Sequence, residues 1–126
     1  MPVRHEIDKS GRLIVHTAEG DVSFSEIKQD RENMRRDPGF DPSFNMLWDA
    51  TAVTKMQLSS DELVFFAQNR ILSKASRVAF VAPEAHVFGV LRMFEIHYSL
   101  IDDSAQSQVF RKRAEALEWL NRKRSA

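Results

Sequence analysis

The chain has 126 residues, 43% of them hydrophobic, which fits one domain (1–126) able to bury a core without disulfide or metal staples. Its 18 basic and 18 acidic side chains cancel, so it lacks the basic footprint that neutralising phosphates requires, and nucleic acid is not an expected partner. The absence of cysteine excludes disulfides, a thiolate nucleophile and cysteine-bound zinc, and suits a reducing, cytoplasmic location.

The first residues, Met1-Pro2-Val3-Arg4-His5-Glu6, are charged where a secretion signal carries an apolar run. No stretch reaches the roughly 20 apolar residues of a membrane span, so neither export nor a transmembrane segment is expected. Val3 to Asp8 and Leu13 to Ala18 read as two strands of a hairpin turning around Lys9-Ser10-Gly11-Arg12. Two registers are open. A two-residue loop at Ser10-Gly11 sets His5 opposite His16, whereas a three-residue bulged loop sets His5 opposite Val15 and Ile7 opposite Leu13. The bulged register makes the more coherent apolar face and is the one expected.

A helix is predicted from Phe24 to about Arg36, with Phe24, Ile27, Arg31 and Met34 along one narrow stripe. Ser23 and Glu26 form its capping box, Val22 staples to Ile27, and Asp37-Pro38-Gly39 ends it. Phe44 to Ala50 is a strand. The segment 59–72 is a second helix opened by the same device, with Ser59 and Glu62 as the box and Leu58 and Leu63 as the staple; Leu63, Phe66, Ala67 and Ile71 form its buried face.

Val78 to Ala82 is apolar on both faces and belongs inside the sheet. The third helix, 84–98, has more apolar residues than one stripe needs, so Phe88, Val90, Met93 and Ile96 require a second covering surface, and Gly89 is a costly residue in its interior. Ala82 cannot cap that helix, which leaves its first N–H groups available to water or an anion. Asp102-Asp103-Ser104-Ala105 turns the chain into a last strand around Val109-Phe110-Arg111 and a last helix with Ala116, Leu117 and Leu120 inward. A hairpin followed by repeated βα steps predicts an α/β domain, its mostly parallel or mixed sheet of about five strands packed against helices.

The segments Leu47-Trp48-Asp49-Ala50-Thr51, Arg77-Val78-Ala79-Phe80-Val81, Arg92-Met93-Phe94-Glu95, Val109-Phe110-Arg111 and Ala116-Leu117-Glu118-Trp119-Leu120 resemble the SpoIIAA-like family, in order along nearly the whole chain. The resemblance implies the STAS-type fold (sulfate transporter and anti-sigma factor antagonist) and a non-enzymatic regulatory domain that works by protein–protein contact. For closer relatives it implies a domain that holds apolar ligands or meets membranes. Antagonist relatives carry an Asp-Ser-Ser/Thr-Gly turn before the second helix. Here that place reads Leu58-Ser59-Ser60-Asp61-Glu62, so Ser59 and Ser60 are the candidate phosphorylation sites without the flanking Asp and Gly. Lys112 stands where relatives have an Asp before the last helix.

No catalytic constellation emerges. His5, His16, His86 and His97 lack the His-Glu-x-x-His spacing of a zinc site. No serine sits in a Gly-x-Ser-x-Gly elbow, and the glycines at 11, 20, 39 and 89 are too dispersed to cradle a phosphate. Neither a metal nor a cofactor is expected. Open α/β sheets bind ligands at the carboxyl ends of their strands, which here brings Asp49, Thr51 and Thr54 together with Pro83, Glu84 and His86. The expected apolar ligand or membrane site combines Asp49, Thr51 and His86 with Phe65, Phe66, Phe88, Met93 and Phe94. The favoured reading of the extra apolar surface is packing against a neighbouring helix or a homodimer partner, and the apolar-ligand or membrane site is the alternative to it. The locally basic end, Arg111, Lys112, Arg113, Arg122, Lys123 and Arg124, reads as a solvated final helix; the alternative is that it supplements apolar contact at an anionic membrane, but six cations spread around a helix define no binding stripe.

Overall fold

The structure is a computed structural model that describes residues 2–102 and 106–122. The expected turn from Asp103 to Ala105 and the cations Lys123 and Arg124 lie outside the described residues. Five strands, β1 (Val3–Asp8), β2 (Leu13–Ser23), β3 (Asn45–Gln57), β4 (Arg77–Val81) and β5 (Gln106–Phe110), form one sheet in the order β1-β2-β3-β4-β5. β1 pairs antiparallel with β2, and every later pairing is parallel. The helices are α1 (Phe24–Arg36), α2 (Ser60–Gln68), α3 (Ala85–Ile101) and α4 (Arg113–Asn121). This is the mixed α/β architecture expected from the hairpin and βα periodicity.

Because the parallel strands advance in one direction, right-handed crossovers carry α1, α2 and α3 to the same face of the sheet. The larger core forms there, where Ile14, Ala18, Met46, Val78 and Phe80 meet Ile27, Met34, Phe66 and Leu91. The opposite face, Leu47, Ala79 and Val81, is covered by Ala116 and Leu120 of α4. Arg77 ties down the end of α4 by donating to the carbonyls of Trp119 at 2.7 Å and Arg122 at 2.8 Å. Arg113 ties its beginning to Asp49 on β3 at 2.6 Å, so this contact stands where Lys112 offers no side-chain cap.

The hairpin adopts the other register: His5 lies opposite His16 and Ile7 opposite Ile14. Asp8 organises the turn, accepting from the Gly11 N–H at 3.0 Å and the Ser10 hydroxyl at 2.8 Å, while Arg12 takes the positive φ of 52°. No bulge is needed in the turn. The irregularity appears later, where β2 and β3 slip register between Thr17 and Glu19 and between Gly20 and Asp21; Gly20 there has φ +71°. This lets β2 and β3 run past the end of β4, which pairs with β3 only from Met46 to Asp49. The overhang carries Val53 and Met56 into the larger core.

Three helix ends depart from expectation, the first being that of α3, which runs to Ile101 rather than stopping at Tyr98. α2 stops at Gln68 rather than continuing to 72, with Asn69 N–H closing on the Phe65 carbonyl. The N-terminus of α3 is not free: Glu84 accepts from the N–H groups of His86 at 3.0 Å and Val87 at 2.9 Å. A glutamate one residue before the helix folds back as its cap, so an anion there would meet a carboxylate. Gly89 has open space where a Cβ would stand, so its presence is not a packing requirement. Gly89→Ala is expected to stabilise the fold by about 0.5–1 kcal/mol, measured by urea denaturation.

Candidate functional site

A cavity of about 110 Å³ lies between the sheet and the α1–α3 layer. Native interiors leave few voids larger than a water molecule, and one water needs only about 10–15 Å³ by such a measure, so this space admits several heavy atoms. Its floor is Met46 and Trp48 of β3 with Val78 and Phe80 of β4. Ile27, Arg31 and Met34 of α1, Leu63 and Phe66 of α2, and Leu91, Phe94 and Tyr98 of α3 form the walls. Met56, Leu58 and the 70–72 segment complete it. Period 2 explains the floor: Met46, Trp48 and Ala50 of β3 face this layer, while Leu47 and Asp49 face α4. Three of the lining residues are methionines, whose unbranched thioethers reshape readily around a ligand.

Of the expected site residues, Phe66 and Phe94 line the cavity, with Phe65 packed beside Phe66 at a ring separation of 5.7 Å. Asp49 and Thr51 lie elsewhere. The Thr51 N–H donates to Asp49 at 2.9 Å, Arg113 donates to its other oxygen, and these bonds hold its carboxyl below the usual range against the opposing effect of burial. His86 is exposed on the first turn of α3. Phe88 carries the Arg111 guanidinium 4.3 Å from its ring centroid, and Met93 stands 46% exposed on the outer side of α3. Ser59 caps α2, accepting from Glu62 N–H at 3.2 Å while its own N–H donates to the Glu62 carboxylate at 2.8 Å; Ser60 is exposed beside it. A shallow groove joins this cap to Ser23, Phe24 and Ser25.

Beside the cavity floor runs a polar chain hidden from the stripe expected for α1. The buried face of that helix is Ile27, Asp30 and Met34, and Asp30 is 4% exposed. Its carboxylate bridges the two histidines that the hairpin register aligns: Oδ2 meets His16 Nδ1, and Oδ1 lies 3.4 Å from His5 Nδ1. His5 Nε2 continues to Asp37 at 3.0 Å. His16 is fully buried and stacked on Trp48, ring centroids 4.2 Å apart. The signal for this cluster was the position of Asp30, three residues after Ile27 and four before Met34, where an acid faces inward and requires a partner.

The cross-strand histidine pair is the arrangement a metal site would have used, yet three of its four ring nitrogens are directed at carboxylates. Among the described residues, no group of three or more His, Asp or Glu is placed to hold a metal ion. Burial lowers the pKa of His16 below its ordinary 6.5, outweighing the opposing pull of Asp30. The ring is therefore neutral, with Nδ1–H donated to Asp30. Its Nε2 has no hydrogen-bond partner among the described residues.

No family model and no curated protein matches this chain. Among solved structures it is similar to an uncharacterized protein of the DUF3478 family from Shewanella loihica PV-4, described as having a SpoIIAA-like fold. The likeness covers 94% of this chain and 91% of that one at 15% identity, with a TM-score of 0.58. The chain thus has a SpoIIAA-like fold, as its sequence resemblance implied.

Two outcomes follow from the buried pair. Asp30→Ala leaves His16 without its partner and should destabilise the protein by about 2–3 kcal/mol, measured by urea denaturation. Because the folded state disfavours protonated His16, the unfolded chain binds the extra proton below the ordinary histidine pKa of 6.5, and stability should fall as pH drops from about 7.5 to about 5. A His16→Gln variant should flatten that slope in thermal melts. An unchanged slope would assign it to other groups.

Proposed function

We propose that this SpoIIAA-like domain works by binding and that the cavity beneath α1, α2 and α3 takes an apolar small molecule. The observation that carries this reading is the cavity itself, an almost wholly apolar space bounded by aromatic and methionine side chains inside a small domain. Water in so apolar a space is poorly partnered, and a hydrophobic ligand that displaces it gains by burying apolar surface. Nothing in the lining offers a nucleophile with its base, so the chemistry available there is retention rather than turnover. Trp48 forms part of the floor and responds to occupancy.

A second reading, regulation through contact with another protein or a second copy of the chain, is favoured by the outer side of α3. Met93, Ile96, Leu100 and Ile101 are 46%, 46%, 79% and 48% exposed, a run of large apolar groups facing away from the core. Under this reading Ser59 and Ser60 are the modifiable groups. A phosphate on Ser59 would break the bond to Glu62 and stand against Asp61 and Glu62, loosening the first turn of α2. Phosphate at either serine in protein isolated from its own cells, together with a dimeric native mass, would favour it. At a membrane surface the same run would act as the apolar contact. No helix among the described residues is long and apolar enough to cross one.

Straight-chain alcohols from hexanol to dodecanol provide the test of the cavity. They should quench or shift Trp48 emission saturably, and Leu63→Phe, which fills the cavity from α2, should abolish that response without lowering the melting temperature. Saturable binding that persists unchanged in a folded Leu63→Phe protein would place the ligand elsewhere.

A further inference from the structure

The cavity lining is apolar except at one end. Arg31 of α1 reaches the C-terminal end of α2 and donates to the Asn69 carbonyl at 2.5 Å. Arg70 is the next residue in the chain, and both arginines line the cavity. The two guanidinium groups lie against lining aromatics, Arg31 4.8 Å from the Phe66 centroid and Arg70 5.1 Å from that of Tyr98. Two cations therefore share one end of an otherwise hydrophobic space.

Their existing bonds leave capacity unused. Arg70 holds the connection to β4, with Nε donating to the Leu72 carbonyl at 2.8 Å and Nη2 to the carbonyls of Ser73 and Ser76. Nη1 is buried and has no acceptor among the described residues. Neither arginine takes part in an ion pair among the described residues. The charges nearest in effect are Glu32 for Arg31 and Asp102 for Arg70. Burial outweighs both, lowering the pKa of Arg31 to about 10 and also lowering that of Arg70. Among the described residues, both cations are half-buried and neither has a counter-charge within ion-pair distance.

We infer that the cavity selects an amphiphile with a carboxylate head, its tail among Phe66, Leu91 and Phe94 and its head on Arg31 and Nη1 of Arg70. This rests on the binding reading of the cavity given above. Guanidinium forks match the two oxygens of a carboxylate and form charge-assisted bonds that strengthen as water is excluded. An alcohol or ester of the same chain length fills the apolar space equally well but leaves both charges uncompensated. Acetate supplies the charge but not the tail.

Isothermal titration of the full chain with octanoate, 1-octanol and acetate separates these contributions. Octanoate should bind roughly tenfold or more tightly than octanol, acetate should not bind measurably, and added salt should weaken octanoate alone. Within the Arg31→Gln protein the ratio of the two affinities should fall toward one, while Arg31→Lys should keep part of the preference. Arg31 is the first position to change because Arg70 also secures the loop before β4; circular dichroism melts confirm that each variant is folded. Equal affinities for octanoate and octanol in the wild type overturn the head-group inference and leave the cavity reading standing. A preference that survives in folded Arg31→Gln and Arg70→Gln proteins also overturns it. Binding of neither ligand overturns both.

Discussion

The one-way order of the parallel strands is the constraint on which the rest of this molecule depends. Each strand from β2 onward is laid beside its predecessor, so every crossover helix lands on the same side. That face receives α1, α2 and α3, while the other must be covered by α4 after the last strand. α2 has 9 residues against 13 in α1 and 17 in α3. A short helix between two longer ones over a twisted sheet leaves space beneath it, and the cavity lies there. The β2–β3 overhang closes part of that space with Met56 rather than filling it.

A buried polar line sets the hairpin more firmly than hydrophobic matching does. The line from Asp37 through His5 and Asp30 to His16 requires both histidines on the α1 face, and only the observed register supplies that. Apolar pairing alone favours the other register because it sets Ile7 opposite Leu13 and His5 opposite Val15 on one face. Buried hydrogen-bonding groups penalise wrong pairings heavily, since a slipped strand would strand a carboxylate in the core. The line also stiffens one side of the cavity, where His16 supports the indole that forms its floor.

Element types and sheet class were legible because periodicity survives in short segments: β4 is apolar on both faces, and the two Ser-x-x-Glu boxes open α1 and α2 as read. Less legible were features that depend on a partner distant in sequence. Glu84 as a cap for α3 is local, but it requires the side chain to fold back on its own helix, and a search limited to short polar caps passes over it. Asp49 and Trp48 are neighbours, yet strand alternation sends them to opposite faces, so grouping residues by strand end brought together side chains that the sheet separates. Arg31 entered the apolar stripe of α1 as an exception. Its place at the cavity end became visible only when α2 stopped at Gln68 and Asn69 presented its carbonyl.

The division of labour between the two faces has a consequence for the nascent chain. The sheet can grow in order of synthesis, each new strand docking beside the one before it, with α1 to α3 closing their side as they emerge. Leu47, Ala79 and Val81 have no cover until α4 arrives, and its only bulky anchor among the fully enclosed residues of that layer is Leu120. During translation this face is an exposed apolar strip on a nearly complete sheet, the kind of surface that draws chaperones or self-association. Arg77 and Arg113 grip the two ends of α4 once it has docked, so the cover, when it comes, is held at both ends.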